Sequence, residues 1–227
     1  MKTAIVTGSS RGIGKATVTA LSGSGYRVLG VSRTNGSIDV RSEYLMNELV
    51  DDTEKQGTID ALINNAGYHH PRTPLHQLTN MVLSQTFDTN VFGPFFLMRK
   101  VIPVMLKQND GVIINVASTA VINLEAGLSL YSASKAALAA ITVTIAKELR
   151  GTNVLCVTVC PGATNTTIYK EDNFSEKNPS PQSPELVAGI INEIVTKREA
   201  ASKKVNPGDC IMIKRGSVWI EALFARQ

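Results

Sequence analysis

A chain of 227 residues, 43% hydrophobic and 19% charged, is long enough to bury one sizeable core and short for two, so a single domain over residues 1–227 is expected. The net charge of +4 arises from scattered lysines and arginines, with only short pairs such as Lys203-Lys204 and Lys214-Arg215, which argues against a nucleic-acid partner. Cys156, Cys160 and Cys210 show neither a CxxC pair nor metal-ligand spacing, so they read as reduced, buried thiols, with no disulfide framework and no metal site. The apolar run before Gly8 is too short for a signal core or a membrane span, and a cytoplasmic protein without a membrane partner is expected.

In chain order, short β-branched apolar runs recur at 3–7 (TAIVT), 27–32 (RVLGVS), 60–64 (DALIN), 111–117 (GVIINVA), 153–159 (NVLCVTV) and 210–214 (CIMIK). Segments with helical apolar spacing separate most of them, among them 12–23, about 91–107 and 132–149. Continuous apolar strands alternating with helices imply an α/β fold, a parallel sheet covered on both faces. The polar, proline-punctuated stretch 165–183 reads as a mobile substrate loop.

The first strand runs into VTGSSRGIG at 6–14, where Gly8, Gly12 and Gly14 open the first helix. Residues without a Cβ allow a tight turn and a close approach of pyrophosphate to free helical N–H groups, although glycines at such a turn also serve purely structural ends. An acid about 20 residues further on holds the ribose 2′-hydroxyl of NAD, whereas an arginine accommodates the 2′-phosphate of NADP. The second strand ends in Ser32 and Arg33, and Arg11 inside the turn adds a second positive charge, so NADP(H) is favoured over NAD(H). Tyr131 and Lys135, four apart, project from one face of a helix, where an ammonium favours the phenolate. That pair alone is weak, because the spacing arises on many helices by chance. Ser118 follows the strand at 111–117, at the sheet edge where ligands bind in open α/β folds.

Taken in order, TGSSRGIG (7–14), NNAG (64–67), Asn90, Ser118, YSASK (131–135) and PGATNT (161–166) resemble the motifs of the short-chain dehydrogenase/reductase family, over roughly residues 3–195. The resemblance implies a Rossmann-type doubly wound sheet and hydride transfer between a nicotinamide and a carbonyl or alcohol. It implies that Tyr131 is the acid/base, that Lys135 binds the nicotinamide ribose and tunes Tyr131, that Ser118 orients the substrate oxygen, and that Asn90 holds a water relaying protons to Lys135. Cofactor contacts are implied at Gly8, Ser10, Arg11, Gly12, Ile13 and Gly14, at Arg33, Asp39 and Val40, along Asn64, Asn65, Ala66 and Gly67, at Tyr131 and Lys135, and at Pro161, Gly162, Thr164 and Thr166.

Two departures stand out. Only TNGSI separates Arg33 from Asp39-Val40, whereas a parallel crossover needs about a dozen residues. A third strand and its preceding helix are therefore expected to be missing or vestigial, giving the order 2-1-4-5-6-7 instead of 3-2-1-4-5-6-7. Near the C-terminus, the apolar VWIEALF needs a surface to bury against. Family members commonly pair through the helices that here span about 91–107 and 132–149, so a homodimer or homotetramer is expected. The substrate pocket is expected between 68–70 (YHH), 119–130 and the 165–183 loop, with Val121, Ile122, Leu124 and Leu128 as an apolar wall and His69, His70 and Asn123 as polar contacts. Two functions stay open: an NADP(H)-dependent reductase or dehydrogenase of a small organic carbonyl, β-ketoacyl thioesters included, and a catalytically idle NADP(H)-binding redox sensor or scaffold. The complete set Asn90, Ser118, Tyr131 and Lys135 favours the first.

Overall fold

The structure, a computed structural model, describes residues 1–34, 38–166, 181–197, 206–214 and 217–221. Most of the expected 165–183 loop and the end of the aromatic tail lie outside the described residues. The chain runs β1 (Thr3–Thr7), α1 (Gly12–Gly23), β2 (Arg27–Val31), α2 (Glu43–Gln56), β3 (Ala61–Asn64), α3 (Asn80–Phe87), α4 (Gly93–Gln108), β4 (Gly111–Val116), α5 (Ala120–Asn123), α6 (Ser129–Glu148), β5 (Val154–Pro161), α7 (Pro184–Thr196), β6 (Cys210–Lys214) and β7 (Ser217–Glu221). A π-helical turn, Asp88–Phe92, joins α3 to α4.

The helix boundaries follow local chemistry. Ser42 caps α2 by accepting from the Leu45 N–H at 3.3 Å, with Glu43 in the first turn and Lys55 in the last, each complementing the helix dipole. Ser183 caps α7, whose first residue, Pro184, has no N–H to leave unpaired. The α4 helix ends at Asn109, a left-handed residue with φ 51°.

The strands form one sheet in the order β2-β1-β3-β4-β5-β6-β7, parallel through β6. Period-two alternation sends their side chains to two cores. Ile5, Leu62, Ile113 and Cys156 meet α2, α4 and α6 on one face. Ala4, Val6, Ile63, Ile114 and Val157 meet α1 and α7 on the other, so the central strands are mostly apolar on both faces. The α6 helix is long and apolar enough to cross a membrane by length and composition, yet eight of its residues, Tyr131 and Lys135 among them, are buried within the fold.

Two points differ from, or add to, the sequence reading. A seventh strand was not expected: β7 pairs antiparallel with β6, Cys210 facing Glu221 and Lys214 facing Ser217. Only two residues separate the strands, which permits a hairpin and no crossover. Among the described residues no strand intervenes between β2 and β3, and their connection carries one helix, α2. Residues 35–37, within the stretch where the shortening was expected, lie outside the described residues.

One polar chain crosses the first core. Asn64 Nδ2 donates to Asn115 Oδ1 at 2.8 Å, and Asn115 Nδ2 donates to Thr142 Oγ1 at 2.8 Å, all three residues fully buried or nearly so. Truncating the middle member strands the Asn64 donor without water to replace its acceptor. Asn115→Ala should therefore lower the unfolding free energy by about 2–3 kcal/mol or more in urea titrations, with the native circular dichroism retained.

Candidate active site

The site forms where the strands end. After β1 the chain passes through Gly8 and Gly12 in left-handed conformations, φ 66° and 54°. A Cβ on Gly8 would lie 2.8 Å from Ala66 Cα, and one on Gly14 would lie 2.2 Å from the Gly8 carbonyl oxygen. Only glycine lets these backbones approach so closely. Thr7 Oγ1 accepts from the N–H groups of Asn65 and Ala66 at 3.0 and 2.9 Å, while Asn65 Nδ2 donates to Thr7 O at 2.9 Å. The loop after β3 is thereby stitched to the turn after β1. Beside it, α1 begins at Arg11 with no side-chain cap and no acid in its first turn, so the positive end of its dipole opens on the same edge.

These elements border a cleft of about 840 Å³. Gly8, Ser10, Arg11, Gly12 and Ile13 form its floor, and Asn65, Ala66 and Gly67 the opposite side. Arg33, Asp39 and Val40 border the end beside β2, and Pro161, Gly162, Thr164 and Thr166 the far wall. Thr166 reaches the glycine turn itself: a Cβ on Gly12 would stand 2.9 Å from its Cγ2. An uncapped helix N-terminus, a Cβ-free floor and neighbouring arginines match the needs of a dinucleotide pyrophosphate.

Ser118, Tyr131 and Lys135 line the same cleft, from three separate points of the chain. Ser118 sits just beyond β4, its Oγ accepting from the Ala120 N–H at 3.1 Å. Tyr131 lies in the first turn of α6, 4% exposed, packed on Leu128 and Ala120. Lys135, one turn on, is 3% exposed; its Nζ donates to the Val116 carbonyl at 2.8 Å and lies 5.9 Å from the Tyr131 ring centre. Burial without a facing carboxylate pushes the Lys135 ammonium down to about 8.

Three residues expected at the site are held elsewhere. Gly14 is buried beneath Gly8 and serves the close approach rather than the cleft surface. Asn64 points into the sheet and is engaged with Asn115, since consecutive strand residues face opposite sides and only Asn65 reaches the cleft. Asn90 is fully buried in the π turn, where Oδ1 accepts from the Tyr68 N–H at 2.7 Å and Nδ2 donates to Tyr68 O and Ser134 Oγ, both at 2.9 Å. Both of its amide protons and one lone pair of its oxygen are thus engaged by Tyr68 and Ser134.

The expected substrate wall is also redistributed. Leu128 packs under Tyr131, while Ile122 and Leu124 are exposed, as is Asn123, and Val121 is only partly covered. His70 turns into the protein, its Nδ1 donating to Pro71 O at 2.7 Å, because a ring so deeply buried takes the nearest backbone acceptor. His69 alone of the two lines the cleft, edge-on to the Tyr131 ring at 4.7 Å. Arg72 pairs with Glu125 and donates to Ala126 O, tying this loop to the one after α5. Sequence reasoning missed Arg41, Gln85 and Thr89, which also line the cleft. Arg41 alone carried a signal, a cation immediately after the Asp39-Val40 step. Among the described residues, no group of three or more His, Cys, Asp or Glu side chains is placed to hold a metal.

Sequence comparison agrees with this architecture. The short chain dehydrogenase family model matches residues 36–177. A 3-oxoacyl-(acyl-carrier-protein) reductase of Synechocystis is 34% identical over 224 residues, covering 87% of this chain and 90% of the relative. A 2,3-dihydro-2,3-dihydroxybenzoate dehydrogenase of Escherichia coli is 31% identical over 215 residues, covering 87% and 85%. Among solved structures, a serine dehydrogenase complexed with NADP+ superposes with a TM-score of 0.85 at 23% identity over 99% of this chain and 100% of its own, which speaks for the fold. A parallel α/β sheet with a glycine turn at its carboxyl edge is the framework of the nucleotide-binding α/β proteins. Within that class, the chain belongs to the short-chain dehydrogenase/reductase family.

The depressed Lys135 has a measurable signature. Between pH 8 and 10.5 the unfolded chain keeps a proton that the native state has lost, so native stability rises with pH across that window and the burial penalty is full below it. Lys135→Met removes this slope: the stability of wild type relative to the variant should climb from about pH 8 to 10.5 in denaturant titrations of the unliganded protein.

Proposed function

We propose that this protein is a cytoplasmic, NADP(H)-dependent oxidoreductase, formed by the 227 residues as one domain, that reduces a carbonyl to an alcohol or runs the reverse. The observation that carries the reading is the meeting of Ser118, Tyr131 and Lys135 in the cleft that also holds the glycine turn and Arg33. When bound, the nicotinamide supplies or accepts the hydride. Tyr131 Oη gives its proton to the substrate oxygen as the carbonyl carbon is reduced, and takes one back in oxidation. Ser118 Oγ orients that oxygen. The Lys135 ammonium lowers the cost of the Tyr131 phenolate and returns a proton from solvent, with the Asn90 main-chain carbonyl holding the relay water. His69, against Tyr131, borders the substrate side. Cys156, Cys160 and Cys210 are all buried thiols outside any disulfide, in keeping with a reducing compartment.

The cofactor preference rests on charge. Arg11 and Arg33 are exposed on the cleft, and neither side chain forms an ion pair or hydrogen bond among the described residues. Both guanidinium groups are available to a 2′-phosphate. An oligomer is supported by apolar surface along the π turn and α4: Phe92 and Phe95 are 47% and 39% exposed, Leu106 is exposed further along, and the Arg99 guanidinium lies over the Phe95 ring. An aromatic and aliphatic stripe of this kind is the usual centre of a subunit contact.

NADPH oxidation against a panel of ketones, aldehydes, quinones and ketoacyl thioesters tests the chemistry. Tyr131→Phe should lower kcat about 10²–10⁴-fold while NADPH still binds; wild type and variant equally inert across the panel would favour a cofactor-binding sensor instead. In titrations, Arg33→Ala should weaken NADP(H) and leave NAD(H) unchanged, and equal wild-type affinities would overturn the preference. Light scattering at micromolar concentration should give a dimer or tetramer that Phe95→Glu dissociates, and a monomeric wild type would end the oligomer reading.

A further inference from the structure

Arg41 occupies an unusual position for a surface arginine. It lines the cleft at the end beside β2, together with Asp39 and Arg33, and its side chain is 36% exposed. It is paired with Asp39 in a full fork. Oδ1 accepts from the Arg41 backbone N–H and from Nε, both at 3.0 Å, and Oδ2 accepts from Nε at 3.0 Å and from Nη2 at 2.6 Å. Each carboxylate oxygen therefore takes two bonds, which leaves Asp39 little capacity to accept from an adenine amino group or a ribose hydroxyl. The fork leaves Nη1 of Arg41 with no hydrogen bond among the described residues.

The pair sits on a fixed base. Val40, between its members, is 7% exposed, and a Cβ on Gly93 of α4 would stand 3.0 Å from the Val40 carbonyl oxygen. One residue beyond Arg41, Ser42 caps α2. A half-exposed ion pair on this base adds little to stability. What it does is hold one guanidinium at a defined place in the cleft. The charged groups around it are Arg33 and Asp39 on the same rim, Asp88 at the start of the π turn, and Arg11 on the floor.

We propose that Arg41, clamped by Asp39, is a third cation of the 2′-phosphate subsite beside Arg11 and Arg33, and that Asp39 is a positioning residue rather than a direct ligand of the nucleoside. The inference rests on the NADP(H) reading above and deepens it. A planar guanidinium held by a carboxylate on one edge presents its other edge to a phosphate, a geometry that lysine does not reproduce.

The test uses the full chain without a nicotinamide. Calorimetric titration with adenosine 2′,5′-bisphosphate and with adenosine 5′-monophosphate gives an affinity ratio that isolates the 2′-phosphate. Arg41→Gln should lower that ratio about tenfold without changing 5′-monophosphate binding, which also reports an intact cleft. Arg41→Lys should recover only part of the loss. A ratio in Arg41→Gln within about twofold of wild type, while Arg33→Ala lowers it, overturns the role of Arg41 and leaves the NADP(H) reading standing. A wild-type ratio near unity overturns both.

Discussion

The site depends on how closely the turn after β1 approaches the loop after β3. Two backbones lie within van der Waals contact there, with no Cβ between Gly8 and Ala66 and with Thr7 Oγ1 bridging to the Asn65 and Ala66 amides. That contact sets the floor of the cleft and aims the uncapped start of α1 into it. A methyl group at Gly8 or Gly14 would have to displace backbone, which cannot yield as a side-chain end can. The rest of the site is arranged around this fixed seam.

The second organising feature is the parallel sheet. Its strands all run one way through β6, so the loops after β1, β3, β4 and β5 emerge at one edge and bring Gly12, Asn65, Ser118 and Thr164 to one cleft from far-separated parts of the chain. The long α6 helix then supplies Tyr131 and Lys135 from its first two turns. Lys135 is buried against the Val116 carbonyl, and the cost of burying its charge weakens its hold on the proton, its pKa pushed down to about 8. A group held so close to losing its proton suits the proposed relay better than a solvated lysine would.

Polar groups nearby divide their labour. Asn64, Asn115 and Thr142 consume one another inside the sheet, and Asn90 holds the Tyr68 backbone and Ser134 together beneath the site. In both cases an amide in a dry interior is held by buried partners, which makes it a scaffold element rather than a free ligand, although Asn64 Oδ1 takes no hydrogen bond among the described residues. The same logic separates the two histidines: His70 is tied to its own loop, and His69 is turned to the cleft.

Much was legible in the residues by themselves. Apolar runs of β-branched residues marked six strands, because a strand covered on both faces is apolar at most of its positions. The glycines of 8–14, the Tyr131–Lys135 spacing and Ser118 just past a strand pointed to the chemistry, because those constraints are local. What only the tertiary structure decided is long-range. Whether Asn64 or Asn65 faces the cleft depends on strand register, and the engagement of the Asn90 side chain depends on partners 22 and 44 residues away. The hairpin of β7 and the fork between Asp39 and Arg41 join residues close in sequence, and what the fold decides is their place, β7 beside β6 at the sheet edge and the fork on the rim of the cleft, because placement depends on the sheet as a whole.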